Sequence, residues 1–512
     1  MSKDNLQHEL HQALTREVDK HISRYNLDCR SSHKNAKRYT KRTGKSATKV
    51  AASSLIPTHW QAHNLFNPFY VRKRIDNIAH GLATKIRAST YKPNPSLVVS
   101  IPKPAGGNRD ISIFTIPDSA VAYWVNQILI RRNQPYFSSY CFAYRTDRNG
   151  HNAISHLMTE LRSSQRHYLL EYDFSKYFDT IRHEYLISVL KKHLKVSPRE
   201  MHLINAFLER EYAISIEDLK NNNTTKASIG VPQGCSISLF LANVAALELD
   251  RKIERISTAF ARYADDTVIL CENYESASRC AKVMLEHGTK AGTEINLLKS
   301  AGISVLSSDT EPEMRGKTGF TFLSHYLTQE GVSFGSKAIE RMKRRSVRII
   351  YNNLLLYPKK NELNPARLGK GFFDWDLVTC INELRRYIYG SITEKELSLS
   401  LNNEAPFKKV FCALSYYPTT DQGGEQMREL DGWLVNILRR ALKQRYKLAT
   451  VLLKKNKKTP QPKSLISGSW YKFSKVPQET AMPSFFKAWL YTRKTVLLYD
   501  LSKFPTPPYV YA

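Results

Sequence analysis

No two of the seven cysteines (29, 141, 235, 271, 280, 380 and 412) form a CxxC pair, so neither a zinc site nor a disulfide framework is indicated. A reducing compartment suits such a set. Also missing is any apolar run of membrane-spanning length, and the opening Met1-Ser2-Lys3-Asp4-Asn5 carries no apolar signal segment. The expectation is a soluble, cytoplasmic protein with no membrane partner. Acids are scarce beside bases: 46 Asp and Glu against 77 Lys and Arg leave a net charge of +31. An excess of that size points to a polyanion, whose neutralised phosphates release counterions. The charge is clustered, with Lys34, Lys37, Arg38, Lys41, Arg42, Lys45 and Lys49 in one stretch. That stretch reads equally as a nucleic-acid-contacting arm, a helical cap or a solvated tail.

What is present is organised around Tyr263-Ala264-Asp265-Asp266, two adjacent carboxylates between the apolar segments 259–262 and 267–270. Such flanks form strands, which puts the acids at the tip of a tight hairpin. Taken alone, an Asp-Asp pair reads as an ordinary solvated turn. A third acid, Asp173, ends the strand-like run Tyr168-Leu169-Leu170-Glu171-Tyr172. Neighbouring carboxylates repel, and a divalent cation removes the repulsion. Three acids on strand ends of one sheet would suit two Mg²⁺ ions and in-line phosphoryl transfer. From 167 to 306 the pattern is strand, helix (183–194), a long helix after Gly234, hairpin (259–271), helix (274–287) and strand (302–306). Ala277, Cys280, Ala281, Met284 and Leu285 recur at helical spacing and predict one apolar face on the sheet. This βαββαβ order is the split-βαβ arrangement, which would set Asp173 beside the 263–266 turn.

Read with Asp173-Phe174-Ser175-Lys176-Tyr177-Phe178-Asp179, Val231-Pro232-Gln233-Gly234 and Asn296-Leu297-Leu298-Lys299-Ser300, the hairpin resembles the palm of a reverse transcriptase. The likeness covers roughly residues 65 to 350 and rests on motif order as well as content. It implies an α+β right-hand polymerase fold: basic N-terminal arm (1–60), fingers (61–165), split-βαβ, ferredoxin-like palm (166–330), helical thumb (331–400) and helical C-terminal extension (401–512). It implies an RNA-directed DNA polymerase that copies an RNA template into cDNA from dNTPs. Asp173, Asp265 and Asp266 would hold two Mg²⁺ ions, with the Phe174 carbonyl as an additional ligand. Lys299 would protonate pyrophosphate, although a surface cation at a strand start is an equal reading. Phe178, five residues after Asp173, sits where the family keeps a ring beneath the sugar, which excludes a ribose 2′-hydroxyl. Gln233 and Gly234 resemble the motif that contacts the nascent pair, glycine allowing close backbone approach.

The segments 96–103 and 109–113, joined through Gly106-Gly107-Asn108, form a hairpin by composition. They are similar to the fingers hairpin in which a Lys and an Arg clamp the incoming triphosphate, here Lys103 and Arg109. Gly319 to Leu327 is similar to the primer grip. Lys337 to Tyr357, with Arg341, Lys343, Arg344, Arg345 and Arg348, looks like a thumb helix facing the duplex. Tyr144 and Arg145 are read as residues that stack on or pair with nucleic acid, with core packing of Phe142 and Tyr144 as an equal reading. Further along, Cys412-Ala413-Leu414-Ser415-Tyr416-Tyr417-Pro418 and Glu429-Leu430-Asp431-Gly432-Trp433-Leu434 are similar to C-terminal regions of bacterial defence-associated reverse transcriptases. That likeness implies an antiviral enzyme with a structured non-coding RNA as partner. A group II intron maturase and an idle RNA-binding assembly protein are the alternatives, and a homo-oligomer stays open. Neither a histidine–cysteine endonuclease module nor an RNase H acidic tetrad is seen. Tyr509 and Tyr511, on a proline-spaced tail, offer hydroxyls that could start synthesis.

Overall fold

The computed structural model describes residues 3–48, 50–103, 106–298, 300, 302–307, 314–369, 373–454, 456–471 and 479–506. Lys299, Tyr509 and Tyr511 lie outside the described residues, as do Lys49 and the 104–105 tip of the first hairpin.

The basic N-terminal stretch is a single helix, α1 (Lys3–Thr43). Leu6, Leu10, Leu14 and Val18 recur along one face and are buried in the larger hydrophobic core. The first hairpin follows as β1 (Ser96–Pro102) and β2 (Asn108–Ile113), antiparallel, with Ile101 opposite Arg109. The short strand Glu211–Ala213 extends this sheet alongside β1 in parallel. Helix α2 (Gly150–Leu161) begins with a capping box in which the Asn149 side chain accepts from the Asn152 backbone.

The central sheet has four longer strands, β3 (Arg166–Tyr172), β4 (Ala259–Tyr263), β5 (Asp266–Cys271) and β6 (Gly302–Ser307), and the two-residue strand Gly316–Lys317 lies parallel beyond β6. Its order is β6-β3-β5-β4, and every pairing among these four is antiparallel. That is the split-βαβ order expected from the pattern, with β3 in the interior and the β4–β5 hairpin at one side. Helix α3 (Tyr274–Ala291) covers the sheet through Ala277, Cys280, Met284 and His287. Leu285, expected on that face, is 59% exposed instead. The apolar stripe follows i, i+3, i+7 and i+10, and Leu285 lies one step around the cylinder. The helix expected after Gly234 is also broken, into Ser236–Ala245 and Leu247–Glu254, the first half almost wholly buried. Three short strands, Gly319–Phe322, His325–Thr328 and Val332–Phe334, end this body.

A second hydrophobic core begins at Phe334 and runs to Tyr491. It is helical: α4 (Ser336–Ile350), α5 (Trp375–Tyr389), α6 (Gly424–Leu453) and α7 (Phe485–Val496). Met427, Leu430, Leu434, Leu438 and Leu442 form a buried stripe along α6 at helical spacing. Among the contacts that join the bodies, two come from segments far from the junction at Phe334. The C-terminal end of α1 reaches the second core, where Arg42 donates to the Asn352 carbonyl at 2.6 Å. In the other direction, the chain after α7 returns to the first body, and the Pro505 carbonyl lies 3.1 Å from Nε2 of His151 on α2. No helix among the described residues is long and apolar enough to cross a membrane.

Candidate active site

The β4–β5 hairpin turns in two residues, because Tyr263 pairs directly with Asp266. Ala264 takes φ +61° in that turn. A left-handed alanine costs roughly 1–2 kcal/mol, so something must hold it. Arg262 does so from beneath, donating to the Ala264 carbonyl at 2.9 Å. Its guanidinium is fully buried and doubly bonded to Asp250, at 2.7 and 2.6 Å. Burial alone would disfavour that charge, but the Asp250 carboxylate holds the Arg262 pKa well above its ordinary value. The Arg262–Asp250 platform was not identified from sequence. Its one signal is an arginine inside the otherwise apolar strand 259–263.

Asp173 follows β3 immediately. The β3–β5 register sets Tyr172 opposite Thr267, so the next position on each strand brings Asp173 against Asp266. Asp266 is half-buried, and its carboxyl pKa is pushed up to about 8. Loss of solvation is the first cause, and the charges of Asp265 and then Asp173 follow. Lys337, in the first turn of α4, acts the other way. The backbone of Asp173 is clamped by the 296–300 loop: its N–H donates to Ser300 Oγ at 3.3 Å and its carbonyl accepts from Asn296 N–H at 2.8 Å. Phe174 pairs with Ile295, and its ring is buried against Tyr177.

A cavity of about 270 Å³ opens beside Phe178 and brings Arg109, Gln233 and Gly234 to the same wall. Lys103 is not in that wall; its backbone closes the 103–107 turn through Gly107 at 2.9 Å. Phe178 is 7% exposed, with Tyr144 edge-on at 6.4 Å. Gln233 Nε2 donates to Asp179 Oδ1 at 2.8 Å, so Asp179 positions this loop. Gly234 has φ +95°, and a Cβ there would stand 2.8 Å from the Ser112 carbonyl oxygen. Its close approach is therefore to β2, whose Ser112 N–H donates to the Gln233 carbonyl at 2.8 Å. Arg145 is occupied internally, bonded to Asp147 at 2.8 and 2.9 Å and to the Ser138 carbonyl at 2.8 Å. Its reading as a nucleic-acid contact gives way to that of a loop brace.

Residues 101–327 match the family described as reverse transcriptase (RNA-dependent DNA polymerase). The matched stretch contains all four strands β3 to β6. Protein YkfC of Escherichia coli K12 is 25% identical over 285 residues, covering 50% of this chain and 73% of that protein. The group II intron-encoded protein LtrA of Lactococcus lactis subsp. cremoris is 28% identical over 185 residues, 36% of this chain and 29% of its own length. Against several other curated relatives the chain spans about a fifth of their length, between 19% and 21%. Among solved structures, telomerase from Candida albicans aligns over 72% of this chain and 63% of its own, at TM-score 0.36 and 10% identity.

Among the described residues no three His, Cys, Asp or Glu side chains form a ready-made metal cage. The donor set formed by Asp173, Asp265 and Asp266 nevertheless fits a hard divalent cation. The mutual charge of three acids already weighs on Asp266, and Mg²⁺ is ordinarily held by one or two carboxylates with substrate phosphates completing its shell.

Proposed function

We propose that this chain is an RNA-directed DNA polymerase, extending a primer 3′-hydroxyl with dNTPs along an RNA template. The observation that carries the reading is the register that sets Asp173 against Asp266 at the tip of a two-residue hairpin. Asp173, Asp265 and Asp266 would hold two Mg²⁺ ions, which supply charge neutralisation at the α-phosphate and a lowered pKa for the attacking hydroxyl. Arg109 would grip the triphosphate in the Phe178 cavity, with Lys103 on the opposite limb of the hairpin. The Phe178 ring would close the space a 2′-hydroxyl needs. Gln233 and Gly234 hold the cavity wall against β2, and Lys299 is assigned the proton for pyrophosphate. The domain limits 61–165, 166–330 and 331–400 are assigned to fingers, palm and thumb, with 401–512 as the extension.

The finer assignment is to bacterial antiviral defence, with a structured non-coding RNA as template. Its support is the 412–418 and 429–434 segments. These form a packed element, in which Tyr417 and Leu414 are buried in the second core and Asp431 caps α7 through Ser484 and Phe485. The likeness to LtrA favours a second reading, an intron-type maturase and reverse transcriptase. Purified protein incubated with its co-purified RNA, Mg²⁺ and labelled dNTPs tests the activity. Incorporation by the wild type that is lost in Asp265→Ala supports the proposal; no incorporation with any primer refutes it. Sequencing the bound RNA separates the two readings, since an intron RNA would overturn the defence assignment.

A further inference from the structure

The C-terminal half of α1 carries Lys34, Lys37, Arg38, Lys41 and Arg42 at i, i+3, i+4, i+7 and i+8, a single helical stripe. The stripe faces Arg367 and Thr379 of the second body across a cavity of about 300 Å³. Hydrogen bonding divides these cations into two ranks. On the floor, Arg38 pairs with Glu383, and buried Arg42 bonds the Asn353 side chain and lies 3.7 Å from Asp376. Arg367 pairs with Asp376 at 2.7 Å and donates to Thr379 at 3.3 Å. Asp376 is shared with Arg445 at 2.8 Å. Both acids beside the cavity are thus committed to arginines. On the rim, Lys34, Lys37 and Lys41 are exposed, and none has an acidic partner among the described residues.

Six cations therefore line this cavity against two acids. Like charges at i, i+3 and i, i+4 repel, as Lys34–Lys37 and Lys37–Lys41 must, and an anion in the cavity relieves them. The geometry favours a linear polyanion. From Lys34 to Lys41 the helix rises about 10 Å, the run of about three phosphates of one nucleic-acid strand. None of the lining residues belongs to the Phe178 cavity wall. A site here would engage RNA independently of the catalytic cleft.

We propose that the groove between α1 and the Arg367–Thr379 wall binds the phosphate backbone of RNA, gripping it at a second place outside the candidate active site. The inference goes beyond the polymerase reading and does not depend on catalysis. The three rim lysines are solvent-exposed, so the full-length variant K34Q/K37Q/K41Q keeps the fold, which its unchanged Tm checks. Binding of labelled mixed-sequence single-stranded RNA is measured by anisotropy across a salt series. The variant is expected to bind about ten- to a hundredfold more weakly at low salt. Its slope of log affinity against log salt should be shallower by about two, from about 0.7 for each of three lost phosphate contacts. The charge-preserving K34R/K37R/K41R should restore both quantities. An unchanged slope and affinity in the glutamine variant overturns the proposal. So does a variant that binds RNA normally but no longer binds inorganic tripolyphosphate, which would mark a small-anion site. Incorporation on a short primer–template is expected to be equal in wild type and variant. A wild type that incorporates nothing refutes the polymerase reading while leaving the binding result intact.

Discussion

Asp374 and Asp376, at the start of α5, are fully buried, and each meets a guanidinium: Arg445 bonds both, at 2.7 and 2.8 Å, and Arg367 adds a 2.7 Å contact to Asp376. At the tip of the β4–β5 hairpin the neighbours of a half-buried carboxyl are other carboxyls. Asp266 meets the charge of Asp265 and Asp173 before that of Lys337. The first arrangement satisfies its charges from within the chain and ties α5 to α6. The second sets like charges against one another, which raises the cost of ionising Asp266. These two sets are therefore separable by partner: the acids bonded to arginine hold the fold, and those facing one another are the candidates for chemistry.

That contrast predicts opposite phenotypes. The largest effect is expected for Asp265→Asn: dNTP incorporation should fall by about 10³-fold or more, or ~4 kcal/mol in the barrier, with no loss in urea-melt stability. Arg445→Met should do the reverse, costing about 3–5 kcal/mol of stability by leaving Asp374 uncompensated while Asp376 keeps Arg367, with incorporation per folded molecule preserved. Equal destabilisation by the two variants would erase the distinction. A smaller effect sharpens the catalytic side: Phe178→Ala should admit ribonucleotides, lowering the dNTP/rNTP ratio of kcat/KM by about 10- to 100-fold. Unchanged discrimination counts against the sugar-gate role.

The smallest effect concerns pH and compares the two bodies. All 15 histidines precede residue 326. Burial holds the pKa of His151 down to about 4 and those of His287 and His325 to about 3, against an ordinary 6.5. Between those values and 6.5 the unfolded chain binds more protons than the folded one. Stability from these groups is thus complete above 6.5 and drains as pH falls toward 4 and 3. Pulse proteolysis at about pH 7 and about pH 5, with cleavage sites mapped, should show the first body opening more on acidification than the histidine-free second. Equal opening would refute this.

Motif order and short apolar runs bounded by turn residues make the central sheet legible, since residue type reports locally on burial. The hairpin and Asp173 were found that way, and the register sets them together. Helix faces were read less well. Leu285 has helical spacing to the apolar stripe, but α3 is covered on one narrow side only and leaves it exposed. Gly234 was noticed for its permissive backbone, but what approaches it is β2, a segment some 120 residues away whose position local sequence does not encode. The same holds for Arg145, where three hydrogen bonds within its own loop replace a presumed ligand.

From the chain alone came the chemistry: which acids, which cations, in what order, and an excess of positive charge that calls for a polyanion. Those are properties of residue type and short-range spacing, and they survive without coordinates. Only the tertiary structure decided which charges are spoken for. Arg262, Arg445 and Arg42 are as basic on paper as Lys34 or Lys41, yet burial beside Asp250, Asp374 and Asp376 commits them to the fold. Pairing across a folded interior joins residues tens to hundreds of positions apart, and desolvation makes each such pairing obligatory.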